Sequence, residues 1–238
     1  MLRPRCASPA LARSFLFAAL LAAAPSAASA KDDDVEFRLV DAKNQPVSDA
    51  VVSLTPLDQP APLASAAPAV PPEIVQRHQE FFPYVTAIRT GTAVRFPNRD
   101  TVQHHVYSLS KPKKFELPLY DPGKAETIVF DQPGVVVIGC NIHDWMLAYV
   151  VILDTPWFAV TPTTGAVILR AIPPGRYRAE VWHPRLAQTA TRELTVPAEF
   201  PAKASAAADT ATPLSFSLAL KPDRRIRRAP DANRNGYN

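Results

Sequence analysis

Short hydrophobic runs, separated by polar and turn residues, make up most of the chain from residue 35 onward. At the start, Val35, Phe37 and Leu39 alternate with polar residues, which is the period of a strand with one buried face. Similar runs recur at 51–54, 82–88, 92–96, 106–109, 127–130, 135–138, 147–153, 165–169, 177–182, 194–196 and 214–218. None of these regions has a convincing helical period. Many short strands with turn signals between them predict an all-β protein built as a β-sandwich.

Two proline-rich stretches interrupt the strand pattern. Residues 56–73 contain six prolines and have neither a strand nor a helix period, so we interpret them as a linker. Residues 111–124 are also punctuated by proline and are predicted to be an excursion between strands. The linker separates a first block of strands, 31–55, from a longer block, 74–155. A third block, 156–220, follows a turn at Asp154-Thr155-Pro156.

The first thirty residues have the three parts of a secretory signal peptide. Arg3, Arg5 and Arg13 give a basic start, residues 15–24 are apolar, and Ala28-Ser29-Ala30 matches an A-x-A cleavage site. The apolar run is shorter than the roughly 20 residues that span a bilayer. We therefore predict cleavage after Ala30, export to the periplasm, and no membrane span in the mature protein.

Composition excludes several classes of protein. A length of 238 residues with 47% hydrophobic and 20% charged residues indicates a folded chain. Seven glycines against 26 prolines disfavour glycine-rich phosphate-binding loops, and a Gly-x-Ser-x-Gly nucleophile motif is absent from the sequence. Two cysteines are too few for a disulfide framework or a four-cysteine metal site. We expect the protein not to be an enzyme.

The excess of positive charge lies at the two ends of the chain. The net charge of +4 becomes +1 when the three arginines of the signal peptide are removed. Residues 221–238 contain six Lys or Arg and two Asp, and we predict that they form a disordered basic tail. Such a tail either contacts an acidic partner or membrane surface or is simply solvated. We predict a monomer without a nucleic-acid partner.

Cys140 is the only cysteine of the predicted mature chain, so an internal disulfide cannot form in the oxidising periplasm. It is buried and inert, or pairs between chains, or binds a metal as thiolate. The spacing favours the metal, because His143 follows three residues later and Met146 six residues later, between predicted strands. A tight loop would bring thiolate, imidazole and thioether to one point, and this donor set suits copper.

A second imidazole is available from His104 or His105, at the start of the strand predicted at 106–109. It would complete a set of two histidines and one cysteine with a weak axial methionine. Successive side chains of a strand point to opposite faces, so both histidines cannot easily reach one copper ion.

A family resemblance rests on these residues. The stretch Asn98-Arg-Asp-Thr-Val-Gln-His104-His105-Val106, followed by Cys140-x₂-His143-x₂-Met146, resembles the cupredoxins, or blue copper proteins. The short Cys-x₂-His-x₂-Met loop is most similar to amicyanin, whereas plastocyanin has a longer one. The resemblance covers about residues 74–154. It implies a Greek-key β-sandwich with one Cu(I)/Cu(II) ion in a type 1 site.

The resemblance also assigns roles by position. It implies four copper ligands: His104, Cys140, His143 and Met146. His105 stands where the family usually has Asn, a residue that braces the cysteine loop, so it is either a neighbour of the site or an alternative ligand to His104. Asp144 stands where amicyanin has Pro, and its carboxylate could hydrogen-bond His143 or face a partner. Asn98 is implied as a further residue behind the ligands.

The flanking blocks carry a second resemblance. Residues 35–54 resemble the opening of a carboxypeptidase-regulatory-like, transthyretin-type sandwich, and residues 164–181 resemble its continuation. Their order implies that a cupredoxin domain, 74–155, is inserted in a sandwich made of 31–55 and 156–220. The combination is similar to bacterial periplasmic proteins described as methylamine-utilization or plastocyanin-like.

The function that these residues favour is one-electron transfer by a periplasmic mononuclear type 1 copper protein. Its partners would be periplasmic redox proteins, which the sequence does not identify. Two alternatives stay open, namely copper storage or delivery and a periplasmic binding or structural module without redox activity. The four-ligand set favours electron transfer, since the sequence lacks the exposed Met/His runs that copper chaperones more often use.

Overall fold

The computed structural model describes residues 33–62, 70–196 and 213–223. The predicted signal peptide and the part of the predicted tail beyond residue 223 lie outside the described residues. Within the described ranges all regular structure is β-strand, which confirms the predicted all-β class. The strands are β1 (Asp33–Asp41), β2 (Val51–Pro56), β3 (Val75–Arg77), β4 (Glu80–Phe82), β5 (Val85–Arg89), β6 (Thr92–Pro97), β7 (His104–Ser108), β8 (Phe115–Tyr120), β9 (Ala125–Phe130), β10 (Gly134–Gly139), β11 (Leu147–Leu153), β12 (Trp157–Val160), β13 (Ala166–Ile172), β14 (Gly175–Trp182), β15 (Ala190–Val196) and β16 (Leu214–Leu218).

Strands from the two ends of the described chain form one pair of sheets, which we call the flanking unit. The first sheet has the order β13-β1-β16, and the second has the order β12-β2-β14-β15. Alternating apolar residues of both sheets, such as Phe37, Leu54 and Tyr177, are buried in one shared core. Strands β1 and β2 therefore complete a sandwich with strands that follow more than a hundred residues later. The boundaries of the six segments that the sequence predicts stay a prediction.

The chain between β2 and β12 forms the central unit. Its largest sheet has five strands in the order β5-β11-β10-β7-β8, and the pairs β6-β9 and β3-β4 lie beside it. Phe96, Phe130 and Ile138 are buried in its core, and Cys140 and Met146 belong to the same cluster. Two of the candidate metal ligands, Cys140 and Met146, thus belong to the core of this unit.

A small apolar cluster joins the two units. Val51 of β2 packs with Val85 of β5 and Val151 of β11, and all three side chains are buried. Next to them the ring of Tyr149 lies 5.5 Å from the ring of Trp182, measured between centroids. The two units therefore share a contact of buried apolar side chains in addition to their covalent connection.

The structure differs from the sequence-based expectation at three places. Strand β8 lies inside the predicted excursion 111–124, the hairpin β3-β4 precedes the first strand expected in this block, and β12 was not expected. β8 is the edge strand of the five-stranded sheet and contains Pro118. Proline is tolerated in an edge strand because its missing N–H need not bond a neighbouring strand. Among the described residues there is no helix with the length and hydropathy needed to cross a bilayer.

Candidate metal centre

Three strand ends of the central sheet bring the candidate ligands together. β7 begins at His104, β10 ends one residue before Cys140, and β11 begins one residue after Met146. Since β10 runs antiparallel to both β7 and β11, these three strand termini lie at the same end of the sheet. The loop between β10 and β11 is closed by a 3.0 Å hydrogen bond from the N–H of Met146 to the C=O of His143.

His104, Cys140 and His143 form a compact group. The Sγ of Cys140 lies 3.9 Å from the Nδ1 of His104 and 3.8 Å from the Nδ1 of His143. One potential ligand atom from each of the three residues lies within 4.8 Å of the other two. His104 and Cys140 are buried, and His143 is half-buried. His143 is therefore the most exposed of the three residues.

The spacing of these atoms fits a single transition-metal ion. A sulfur at about 2.3 Å and an imidazole nitrogen at about 2.0 Å from one ion are about 3.7 Å apart when they subtend an angle of about 120°. Both observed sulfur–nitrogen distances, 3.8 and 3.9 Å, are close to that value. Two imidazoles and one thiolate in a trigonal arrangement are the donor set of blue copper sites.

Met146 belongs to the same buried cluster as Cys140. Both residues also line the same cleft. A thioether at this place is a soft, weak donor, which suits the axial position of a copper site. The structure therefore brings all four sequence-predicted ligands to one end of the central unit.

His104 is held from behind by Asp100. The Nε2 of His104 lies 2.8 Å from the Oδ2 of Asp100, and the carboxylate of Asp100 also accepts backbone N–H bonds from His78 (2.8 Å) and Gln79 (2.7 Å). Burial acts to raise the pKa of Asp100, but these hydrogen bonds outweigh burial and lower it. An ionised Asp100 accepts the Nε2–H of His104 and leaves Nδ1 as the ring nitrogen that faces Cys140.

Aromatic rings surround His143. Its ring centroid lies 5.0 Å from that of His104 and 5.2 Å from that of Trp145. The indole N–H of Trp145 donates to the C=O of Gln79 at 2.9 Å, which fixes the indole beside the imidazole. Burial, followed by the nearby His104, lowers the pKa of His143. The neutral imidazole that results is the form that binds metal.

The surroundings of Cys140 favour the thiolate. Burial acts to raise the pKa of the Cys140 thiol, but the hydrogen bond from His104 and the backbone N–H groups of His105, Ile142 and His143 outweigh burial and lower the pKa. Conversely, the contacts of His104 with the thiol and with Asp100 outweigh its own burial and raise its pKa. A thiolate is the ligand form of cysteine.

The remaining predicted site residues occupy different places. His105 is buried, but its Nε2 lies 2.9 Å from the Oε1 of Glu116 on β8, and among the described residues its Nδ1 has no hydrogen-bond partner. The Nδ2 of buried Asn98 donates to the C=O groups of Val102 and Tyr120, so Asn98 shapes the loop that leads to His104. Asp144 is exposed beside His143. His104, and not His105, therefore faces Cys140.

A cleft of about 1050 Å³ opens between the ligand loop and the flanking unit. Cys140, Met146 and Trp145 contribute to one wall, and Arg185 and Lys221 contribute to the opposite rim. Arg185 and Lys221 are joined there by a 2.9 Å backbone hydrogen bond from the N–H of Lys221 to the C=O of Arg185. The flanking unit thus lies across this cleft from Cys140 and Met146.

Sequence reasoning missed two parts of the site. Asp100 belongs to the stretch 98–106 that resembles the cupredoxins, but the sequence pattern assigns no role to it or to the backbone of His78-Gln79. A carboxylate four residues before a candidate histidine ligand is a signal that could have identified Asp100. The role of the His78-Gln79 turn depends on backbone atoms, for which side-chain identity gives no signal.

Comparisons with known proteins find likeness only among solved structures, since no protein-family model and no curated protein matches this chain. A purple cupredoxin from Nitrosopumilus maritimus is 24% identical with a TM-score of 0.32, over 34% of this chain and 99% of that one. An amicyanin from Paracoccus versutus is 18% identical with a TM-score of 0.34, over 42% of this chain and 98% of that one. A copper-containing nitrite reductase from Thermus scotoductus SA-01 is 26% identical with a TM-score of 0.35, over 42% of this chain and 25% of that one. Less than half of this chain is covered in each case.

Proposed function

We propose that this protein is a mononuclear type 1 copper protein that transfers single electrons. The observation that carries the proposal is the convergence of the Cys140 Sγ with the Nδ1 atoms of His104 and His143, at 3.9 and 3.8 Å, with buried Met146 in the same core cluster as Cys140. These four residues would hold the copper. Bound copper supplies a one-electron couple between Cu(I) and Cu(II), for which this mixed sulfur and nitrogen donor set is a compromise.

The chain's own residues prepare the site for this role. Asp100 orients the imidazole of His104, and backbone N–H groups directed at the Cys140 sulfur stabilise the thiolate. The indole of Trp145 covers one side of His143 and excludes water from it. We propose no catalytic step, since electron transfer requires neither a general acid or base nor a nucleophile.

We propose that electrons pass where the site is most exposed. His143 is half-buried, and the neighbouring side chain of Ile142 is 49% exposed. An exposed apolar side chain beside an accessible ligand suits brief contacts with redox proteins, which use small interfaces. From the predicted signal peptide we place these partners in the periplasm.

The proposal is tested by loading the purified mature protein with Cu(II) and recording its visible and EPR spectra beside those of Cys140→Ser. We expect an intense blue charge-transfer band and narrow copper hyperfine splitting, both lost in the variant. A weak tetragonal spectrum that is the same in both proteins would contradict the proposal.

A second measurement separates electron transfer from copper storage or delivery. We expect reversible one-electron voltammetry and fast self-exchange between the oxidised and reduced protein. Rapid loss of copper to a competing apo-protein, together with irreversible voltammetry, would instead identify delivery as the function.

A further inference from the structure

The turn of the β3-β4 hairpin is hydrogen-bonded to two residues that contact the candidate centre, Asp100 and Trp145. His78 and Gln79 form this turn with φ of 53° and 55°, a left-handed conformation that is uncommon for residues other than glycine. Two consecutive residues with positive φ make the tight connection typical of two-residue hairpins. In this conformation both N–H groups of the turn point at one acceptor, the carboxylate of Asp100.

Each side of the turn is connected to one histidine. On one side, Asp100 receives the two N–H groups at 2.8 and 2.7 Å and bonds the Nε2 of His104 at 2.8 Å. On the other side, the C=O of Gln79 accepts the indole N–H of Trp145 at 2.9 Å, and the indole lies against His143 with 5.2 Å between ring centroids. One peptide segment thus contacts the supports of both imidazoles.

We propose that the His78-Gln79 turn is a positioning element that fixes the two imidazoles of the copper site relative to each other. The inference rests on the proposed function, because its purpose is to keep a ligand set from relaxing. His143 is on a seven-residue loop between β10 and β11, and Trp145 attaches this end of the loop to the hairpin. His104 is attached to the same hairpin through Asp100.

Loss of the hydrogen bond between Trp145 and Gln79 is expected to change the relative stability of the Cu(II) and Cu(I) forms. Cu(II) favours a more tetragonal arrangement than Cu(I), so a ligand set that can relax stabilises Cu(II) more than Cu(I). Partners behind metal ligands commonly change affinity by about 10–100-fold when they are removed. We expect loss of the Trp145 hydrogen bond to shift the preference towards Cu(II) by about tenfold, which lowers the reduction potential by about 59 mV.

The test uses Trp145→Phe, which keeps a ring beside His143 but removes the indole N–H. Trp157→Phe is the matched control, since Trp157 packs on Tyr177 in the flanking unit. We expect a lower potential, a weaker blue band and wider hyperfine splitting in Trp145→Phe, and wild-type values in Trp157→Phe.

The outcomes separate this inference from the proposed function. A wild-type protein without a blue copper spectrum would contradict the proposed function itself. A blue wild type with the same potential and spectrum in Trp145→Phe would overturn only the positioning role. Should Trp145→Phe fail to fold, hydrogen exchange of the Trp145 indole N–H in the metal-free wild type decides, because exchange as fast as that of an exposed indole would overturn the inference.

Discussion

At the scale of single residues, Asp100 is the support of the candidate centre whose loss has the clearest expected effect. Asp100→Asn keeps the shape of the side chain but weakens the hydrogen bond that fixes the His104 tautomer. We expect metal affinity to fall by about 10–100-fold, as is usual when a partner behind a metal-bound histidine is lost. Competition titration with a chromophoric chelator measures this change, and an affinity equal to wild type would contradict it.

The lowered pKa of Asp100 also predicts that the stability of the metal-free protein depends on pH. Hydrogen bonds lower the pKa of Asp100 below its ordinary value of 3.8, despite burial. Its charged form therefore stabilises the fold at pH values above 3.8, and this contribution is lost as the pH falls through the lowered pKa. Urea unfolding between pH 6 and 2 should show a shallower acid decline for Asp100→Asn than for wild type. Parallel curves would contradict the prediction.

His104 and His105 are adjacent in sequence but differ in what they contact. The Nδ1 of His104 faces Cys140, whereas the Nε2 of His105 bonds Glu116. We expect His104→Gln to abolish the blue copper spectrum and His105→Gln to retain it, both measured after loading with Cu(II). The opposite result would make His105 the ligand, which is the alternative that the sequence leaves open.

At the scale of elements, a glycine at the start of β13 holds two distant segments together. Gly165 has φ of +67°, and a Cβ added there would lie 2.5 Å from the backbone oxygen of Leu39 on β1. Its own C=O accepts the N–H of Leu39 at 2.8 Å. We expect Gly165→Ala to lower the free energy of unfolding by roughly 2–5 kcal/mol, from left-handed strain plus a backbone clash.

Gly123→Ala is the matched control for this prediction. Gly123 has φ of +79°, but an added Cβ would meet nothing within 4 Å. Only the conformational cost applies there, which is about 1–2 kcal/mol. Chemical denaturation of both variants measures the difference, and equal losses of stability would show that the contact between Gly165 and Leu39 is not tight.

How far the sequence predicts these elements depends on whether a pattern is local. The alternation in β1 and the apolar run of β10 are set by burial of one or both faces, so both strands are predictable. Three of the six residues of β8 are exposed, namely Glu116, Pro118 and Leu119, so its alternation is weak. It becomes a strand because β7 offers it a partner.

The candidate site shows the same division. Cys140, His143 and Met146 are predictable because one short loop contains all three. His104 is predictable only as one of two neighbours, since the choice depends on a register irregularity between β7 and β8. The connection of Trp145 to the β3-β4 turn joins residues 66 positions apart through a backbone oxygen, and a sequence pattern does not encode such a contact.

At the scale of the whole molecule, the question is whether the two units unfold together. The flanking unit is built from chain segments on both sides of the central unit, and the buried cluster of Val51, Val85 and Val151 joins the two. A metal that binds only the native central unit raises the stability of everything that unfolds with it. In the wild type we therefore expect one thermal transition, which copper shifts as a whole to higher temperature.

Trp182→Ala tests this coupling, because it removes the ring that contacts Tyr149 across the junction. For a half-buried indole we expect a loss of about 1–3 kcal/mol and separation of the melting curve into two transitions, of which copper shifts only that of the central unit. Trp157→Ala, within the flanking unit beside Tyr177, should destabilise without separating the transitions. Differential scanning calorimetry with and without copper measures both variants. Two transitions already in the wild type, with copper acting on one, would show that the junction does not couple the units and that the flanking unit folds independently of the copper site.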